Sequence, residues 1–246
     1  MQLSAKAIWQ ETRFFLLVFF VFLAFRTTAF AMYHIPSESM LPTLTVGDRI
    51  VVNKFAYGYS RHSLPFSIGP SLKTTSGRIL YNAPKRGDIA VFKHPRTQKT
   101  LIKRIIALPG DTVELRNGRL ILNGEPMAAE SYGTYQYKEH KGGIANVLHY
   151  GEALPGSSRT SVYDVLDNGG NYPGDWFSPR TIPDGMIFVL GDNRDNSLDS
   201  RFEQAGVGLL PIEHLVGRAD YVAFSTNLSR GIEKDEKHPS RWFRGL

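Results

Sequence analysis

Thr112-Val113-Glu114-Leu115-Arg116-Asn117-Gly118-Arg119-Leu120-Ile121-Leu122 alternates apolar and polar side chains on both sides of an Asn-Gly pair. Two positive-φ residues in a tight turn match the twist of antiparallel strands, and Asn-Gly takes that conformation most easily. The stretch therefore predicts a hairpin with strands Thr112 to Arg116 and Arg119 to Leu122, ended by Asn123-Gly124. Working outward, Arg49 to Phe55, Ile89 to Phe92, Thr100 to Leu108, Met186 to Leu190 and Arg218 to Phe224 read as further strands. They are rich in β-branched and apolar residues and bounded by turn formers such as Gly87-Asp88 and Pro109-Gly110-Asp111. Ala56 to Ala83 reads as a long hairpin or extended loop, and Glu125 to Asp184, polar and aromatic, as an insertion of irregular β structure. Helical periodicity is weak here, a short turn from Pro211 to His214 being its best instance, and there is no internal repeat. The expected fold is mostly β. An antiparallel core from 34–108 and 186–226 carries an inserted smaller β-rich domain, 109–185, and follows one N-terminal transmembrane helix.

The 246 residues hold 29 Lys and Arg against 23 Asp and Glu, a formal net charge of +6. The basic residues are scattered through strand-like segments, without the basic helix, zinc-finger spacing or RNA-binding aromatics of nucleic-acid readers. The expected acidic partner is an anionic phospholipid membrane, and no nucleic acid is expected. The absence of cysteine excludes disulfides, thiol nucleophiles and thiolate metal sites together.

From Phe14 to Phe25 every residue is apolar, with Lys6 and Arg13 before the run and Arg26-Thr27-Thr28-Ala29-Phe30-Ala31 after it. A basic start, an apolar run of about a dozen residues and Ala29-Phe30-Ala31 fit a cleavable signal peptide. A transmembrane span needs about 20 residues. Counting through to Ile35, with Arg26 snorkelling, supplies them. Both readings place residues 1–13 in the cytoplasm and the bulk of the chain across the membrane. At the other end, residues 227–246 carry Arg230, Lys234, Lys237, Arg241, Trp242, Phe243 and Arg244 and read either as a lipid-touching segment or as a basic tail.

Between the apolar segment and the first strand lies Ile35-Pro36-Ser37-Glu38-Ser39-Met40-Leu41-Pro42-Thr43-Leu44, where Ser39 is a candidate nucleophile at the membrane surface. A serine needs a base, and none of the seven histidines stands in a recognisable Ser-His-Asp frame. The other base available is a lysine. In Leu101-Ile102-Lys103-Arg104-Ile105-Ile106, Lys103 shares a strand face with Leu101 and Ile105. Burial there would depress its pKa and leave a neutral amine near physiological pH. The alternative is an edge-strand lysine reaching back to water. Arg104, on the opposite face, reads as structural. Gly191-Asp192-Asn193-Arg194-Asp195-Asn196-Ser197-Leu198-Asp199-Ser200-Arg201 interleaves carboxylates with arginines, either as a solvated turn or as a self-braced loop presenting Ser197 or Ser200 to a buried amine. No register of it supplies the glycine and glutamate of an EF-hand, so no metal is expected.

Taken in order, three segments resemble the motifs of bacterial type I signal peptidases. They are Pro36 to Leu44, then Gly87-Asp88-Ile89-Ala90-Val91-Phe92 with Ile102-Lys103-Arg104 and Leu108-Pro109-Gly110-Asp111, and then Gly191 to Arg201. The resemblance implies a Ser-Lys serine endopeptidase that removes signal peptides from exported preproteins after small-x-small sites. It implies no cofactor. Residues 14–33 would be an uncleaved anchor in the bacterial inner membrane, with the catalytic domain on the periplasmic side. Carried over by motif, Ser39 is the nucleophile and Lys103 the base, Ser37 donates to the oxyanion beside the Ser39 N–H, and Ser197 orients the amine. Asp192, Asp199 and Arg201 brace the loop and Arg104 supports the core. Substrate would add as a strand over Tyr33, Ile35, Pro36, Met40, Leu44, Leu101 and Ile102. Glu38 departs from the small residue often found there and is expected to face water. The rivals are a pilin-processing peptidase of conjugative transfer with the same dyad, a self-cleaving repressor, which would need a DNA-binding domain, and a non-catalytic membrane-tethered module that binds extended peptides.

Overall fold

A computed structural model describes residues 5–63, 74, 76–139, 142–156, 162–226 and 241–246, the side chains of 5–8 and 23–28 excepted. Helix α1 (Ala5–Ala29) is followed by β1 (Phe30–His34), β2 (Asp48–Asn53), β3 (Ile89–Lys93), β4 (Thr100–Ala107), β5 (Thr112–Arg116), β6 (Arg119–Leu122), β7 (Glu125–Pro126) and β8 (Ala129–Lys138). Then come β9 (Ile144–Ala153), β10 (Val162–Asp167), β11 (Phe177–Thr181), β12 (Met186–Leu190), β13 (Leu210–Pro211), β14 (Leu215–Ser225) and β15 (Arg244–Gly245). The Asn-Gly hairpin forms as read, with Arg116 opposite Arg119 and φ of 52° at Asn117 and 74° at Gly118.

The main sheet runs β1-β2-β14-β3-β4-β12-β13, with β15 on β14, and the named strand pairs are antiparallel. β5 and β6 belong to a four-stranded sheet, β11-β5-β6-β7, and β8 to β10 form a third sheet in the order β10-β9-β8. The inserted segment has no core of its own. Ile106 and Phe188 of the main sheet, Val113, Leu115 and Leu120 of the second and Tyr150 and Val165 of the third share one buried cluster. Ile105, Val189, Phe92 and Leu215 form a second cluster, and Ile35, Met40, Leu44, Ile50 and Val222 a third.

The structure departs from the sequence reading in four places. The helix stops at Ala29, and residues 30–34 pair along β2 from Phe30 opposite Asn53 to His34 opposite Arg49, so the segment 14–33 is part helix and part strand. From Phe30 the backbone groups are satisfied across the chain by β2 instead of within a helix. Among the described residues no helix is long and apolar enough to cross a membrane. Second, the strand expected to reach Phe55 ends at Asn53, whose side chain accepts from Phe55 N at 3.0 Å and caps a 3-10 turn, Lys54–Tyr57. Third, the insertion is regular. β8 and β9 are ten-residue strands paired from Ala129 opposite Glu152 to Lys138 opposite Ile144, although most of β8 is exposed. Fourth, the chain end is docked. Arg244 pairs with Val222 and Leu246 packs on the third cluster, while residues 227–240 lie outside the described residues.

Of Ala56 to Ala83, residues 64–73 and 75 also lie outside the description. What is described is tied together by one buried guanidinium. Arg78 donates to the carbonyls of Tyr57 at 2.9 Å, Gly58 at 2.6 Å, Ile212 at 3.1 Å and Leu215 at 2.9 Å.

Phe188 is fully buried where the three sheets meet. Phe188→Ala should lower the unfolding free energy by about 3 to 5 kcal/mol, since surrounding sheets collapse only partly into the cavity. Chemical denaturation would measure it, and a loss under about 1 kcal/mol would mean that the sheets do not share a core.

Candidate active site

Ser39 lies in an irregular turn between β1 and β2, not in either strand. The turn is fixed at its entrance by Ile35 N donating to Asp48 O and Gly47 N to Ile35 O, both at 2.9 Å, and inside by Leu44 N donating to Met40 O at 2.8 Å. Met40 and Leu44 sit in the third core cluster. Apolar anchors on one side thus hold the turn while Ser39 stays half-buried.

Lys103 reaches this turn from β4. Lys103 is 4% exposed, so the alternative of a lysine reaching water is overturned, although β12 pairs with β4 only from Arg104 onward. Its Nζ stands 2.6 Å from Ser39 Oγ and 3.0 Å from Ile102 O. Burial pushes its pKa down to about 8, against Asp199 and Asp192, which pull it up, while Arg201 adds to the depression. Ser37 Oγ is 3.4 Å from Ser39 Oγ on the exposed side.

The loop from Gly191 to Arg201 is braced, not solvated. Arg104 donates to Asp192 with Nε at 2.8 Å and Nη2 at 2.7 Å and lies 4.4 Å over the Tyr163 ring of β10. Thr43 Oγ1, from the turn that carries Ser39, donates to the same Asp192 carboxylate at 2.5 Å. Arg201 Nε donates to Asp199 Oδ1 at 2.9 Å, and Gly191 N to Asp199 Oδ2 at 3.1 Å. Gly191 has no room for a side chain, since an added Cβ would collide with Ser197 Oγ and Ser39 O. Ser197 is brought close but is not bonded to the amine: its hydroxyl is buried without a hydrogen-bond partner among the described residues.

Of the residues expected to meet substrate, Ile35, Met40 and Leu44 are at most 2% exposed and form a floor, while Tyr33, Leu101 and Ile102 are half-buried and Pro36 is exposed. Glu38 is half-buried, not facing water freely, and its Oε2 accepts from Asn196 Nδ2 at 3.3 Å. The sequence reading missed Glu152 and Asn193. Glu152 in β9 pairs with Arg194 at 2.5 Å, both 1% exposed. Only a buried strand face in the insertion would have flagged it. Two groups bring possible metal-ligating atoms within 4.8 Å of one another, Asp167-Asp175-Asp195 and His62-Glu213-His214. In the first, burial, with Asp167 and Asp175 adding, pushes Asp195 up to about 6. In the second, the His62 ring stacks on His214 at 4.4 Å and takes a hydrogen bond from Arg61.

A hydroxyl on a held turn facing a buried amine is the equipment of a serine-type hydrolase. The chain belongs to the family of signal peptidases, peptidase S26, whose model matches residues 8–224. Signal peptidase I of Rickettsia bellii strain OSU 85-389 is 33% identical over 228 residues, covering 91% of this chain and 76% of that protein. Signal peptidase I of Rickettsia prowazekii strain Madrid E is 33% identical over 230 residues, covering 92% and 84%. A crystal structure of a signal peptidase I from Enterococcus faecalis V583 aligns with 56% of this chain and 97% of that one at 26% identity and a TM-score of 0.33, too partial a likeness to speak for the fold. The protein is therefore a serine peptidase that cleaves signal peptides from preproteins, in a family associated with bacterial membranes.

Asp192 joins the turn, β4 and the loop through Thr43 and Arg104. Asp192→Ala should cost about 3 to 5 kcal/mol, because it leaves a buried guanidinium unpaired. Urea unfolding at neutral pH measures this; a neutral substitution would contradict the bracing role.

Proposed function

We propose that the chain cleaves signal peptides by a Ser-Lys dyad, with Ser39 as nucleophile and Lys103 as general base. The single observation carrying this reading is the 2.6 Å approach of Lys103 Nζ to Ser39 Oγ at a site where burial lowers the amine to about 8. As an ammonium Lys103 donates to Ser39; once neutral it accepts the hydroxyl proton, and Ser39 Oγ attacks the scissile carbonyl. The oxyanion is received by the Ser39 N–H and Ser37 Oγ. The protonated amine then has three hydrogens, for the leaving nitrogen, Ile102 O and an acceptor that we assign to the unbonded Ser197 hydroxyl. Asp192, Asp199, Arg104 and Arg201 hold this arrangement through their ion pairs.

Substrate joins as an extended strand. β12 pairs with β4 only from Arg104 onward, so on that side Thr100 to Lys103 have no strand partner among the described residues, and β1 is one end of the sheet. Backbone hydrogen bonds along such edges align a peptide and leave its alternate side chains to pockets. Tyr33, Pro36, Leu101 and Ile102 wall these pockets over the floor of Ile35, Met40 and Leu44, and the shallow result selects alanine-sized residues in a small-x-small sequence.

α1 is read as the anchor. Its apolar run from Phe14 to Phe25 rises about 18 Å, against a hydrocarbon thickness of about 30 Å, so the helix holds the chain at the membrane by its exposed apolar side chains. Large side chains from Phe14 to Phe22 are 48% to 67% exposed, an unbroken apolar surface that water does not tolerate and lipid does. With Lys6 and Arg13 inside, the catalytic sheets lie on the periplasmic face of the inner membrane, against anionic phospholipid.

Ser39→Ala and Lys103→Ala should each lower cleavage of a synthetic Ala-x-Ala precursor in detergent by at least about 10³-fold with folding retained; full activity in either would sink the dyad. In the wild type, kcat should rise with pH along a limb centred near 8. A limb centred near the ordinary histidine value would assign the base elsewhere. An unfolded Lys103 binds more protons than the buried one between about 8 and the ordinary 10.5, so it makes stability rise with pH across that window. Lys103→Met should flatten that slope in thermal scans.

A further inference from the structure

The inserted sheet reaches the Ser39 turn through the packing of Tyr137 on Leu41 and, by hydrogen bonds, through Asn193. Asn193, 1% exposed, donates its backbone N–H to Ser39 O at 3.2 Å and its Nδ2 to Glu38 O at 3.2 Å. The same Nδ2 donates to Tyr137 Oη at 3.1 Å. A primary amide has two hydrogens, so both are engaged, while Oδ1 is buried without a partner among the described residues. Tyr137 belongs to β8, is 5% exposed and packs with Leu41, Val147 and Leu166. Asn196 Nδ2 reaches the same Oη at 3.5 Å. On the other side of Asn193, β10 clamps the loop: Leu166 N donates to Asp192 O at 2.9 Å and Arg194 N to Leu166 O at 2.8 Å.

We infer that Tyr137, through Asn193, is a positioning residue for the reaction: its hydroxyl sets the Asn193 amide, which holds the carbonyls of Glu38 and Ser39 and so keeps Ser39 Oγ on Lys103 Nζ. The Tyr137 hydroxyl, carried on β8 of the inserted sheet, is then a working part of the active site. Two consecutive peptide carbonyls gripped by one residue leave the turn no rotation about its own axis. Without the phenol, one Nδ2 hydrogen has no strong acceptor and the amide can turn away from Glu38 O. The ring itself would keep its place among Leu41, Val147 and Leu166, so the effect separates from packing.

The inference rests on the Ser39-Lys103 reading, and the experiment separates the two. Cleavage of the synthetic precursor by the full chain in detergent is compared for wild type, Tyr137→Phe, Asn193→Ala, the double variant and Val147→Ala. Tyr137→Phe should lower kcat about tenfold with KM within about twofold, since small misplacements of a nucleophile cost rate before binding. Asn193→Ala should lower kcat at least as much, and the double variant no further, as expected of residues acting in series. Val147→Ala cuts the same cluster without touching the hydroxyl, so it should lower the melting temperature and leave kcat unchanged where it is folded. Wild-type kcat in Tyr137→Phe, a change in KM alone, multiplying effects in the double variant, or a kcat loss that merely tracks melting temperature across Tyr137→Phe and Val147→Ala would each overturn the inference. Should Tyr137→Phe not fold, Asn193→Ala with wild-type kcat would overturn it equally, and one with kcat reduced at unchanged KM would support it. None of these outcomes bears on the dyad, whose own failure is an active Ser39→Ala.

Discussion

An amine kept dry beside a hydroxyl is the constraint that the rest of the molecule serves. Lys103 can lose its proton near neutral pH only if water is excluded and no unbalanced carboxylate lies close, for a net negative neighbour would restore the charge. Both conditions hold. β3 and β12 flank β4, and the carboxylates nearest the amine are each matched by an arginine, Asp192 by Arg104 and Asp199 by Arg201. Paired, they act on Lys103 largely as dipoles, and desolvation outweighs their residual pull. Buried pairs of this kind contribute little net stability. Their value here lies in holding charges near an amine without protonating it.

Excluding water from that spot takes more chain than one sheet supplies. Within the main sheet β3 and β12 flank β4, the loop from Gly191 to Arg201 binds Arg104 of that strand, and β10 holds the loop in turn, with Tyr163 under Arg104 and Leu166 bonded into the loop. This is why the core cluster runs unbroken through all three sheets. An insertion with a separate core could shift relative to the loop. One that shares it cannot move without opening the site.

Much of this was legible in the chain. The Asn117-Gly118 hairpin, the apolar strand around Lys103 and the alternation of Asp and Arg after Gly191 are local patterns, and each has its signal within a few residues. What escaped was non-local or exposed. β8 has no apolar alternation because most of it faces water, and its register comes from β9. Glu152 and Arg194 stand 42 residues apart, so neither announces the other. The end of α1 was hidden because Phe30, Ala31 and Met32 are as apolar as a helix in lipid; pairing with β2 decides it. In the site itself, Ser39 and Lys103 could be paired only by elimination and by family resemblance, 64 residues apart in sequence, and the unbonded state of the Ser197 hydroxyl had no sequence signal at all.

The helix boundary at Ala29 bears on how the site meets its substrate. Five strand residues and the four from Ile35 to Glu38 separate α1 from Ser39, so at about 3.4 Å per residue Ser39 lies no more than roughly 34 Å from the helix end. The first half of that path is not free chain, since every residue of β1 is paired with β2. With α1 in lipid, Ser39 is carried on a short, stiff strand out of the membrane, and Phe30 and Met32, both about half exposed, continue the apolar surface of the helix onto the sheet. A bond at the end of another protein's apolar segment emerges within the same short distance of the bilayer. On the proposed anchoring, the strand that leads away from α1 is also an end of the main sheet among the described residues, and it would hold Ser39 near the surface at which such a bond leaves the lipid.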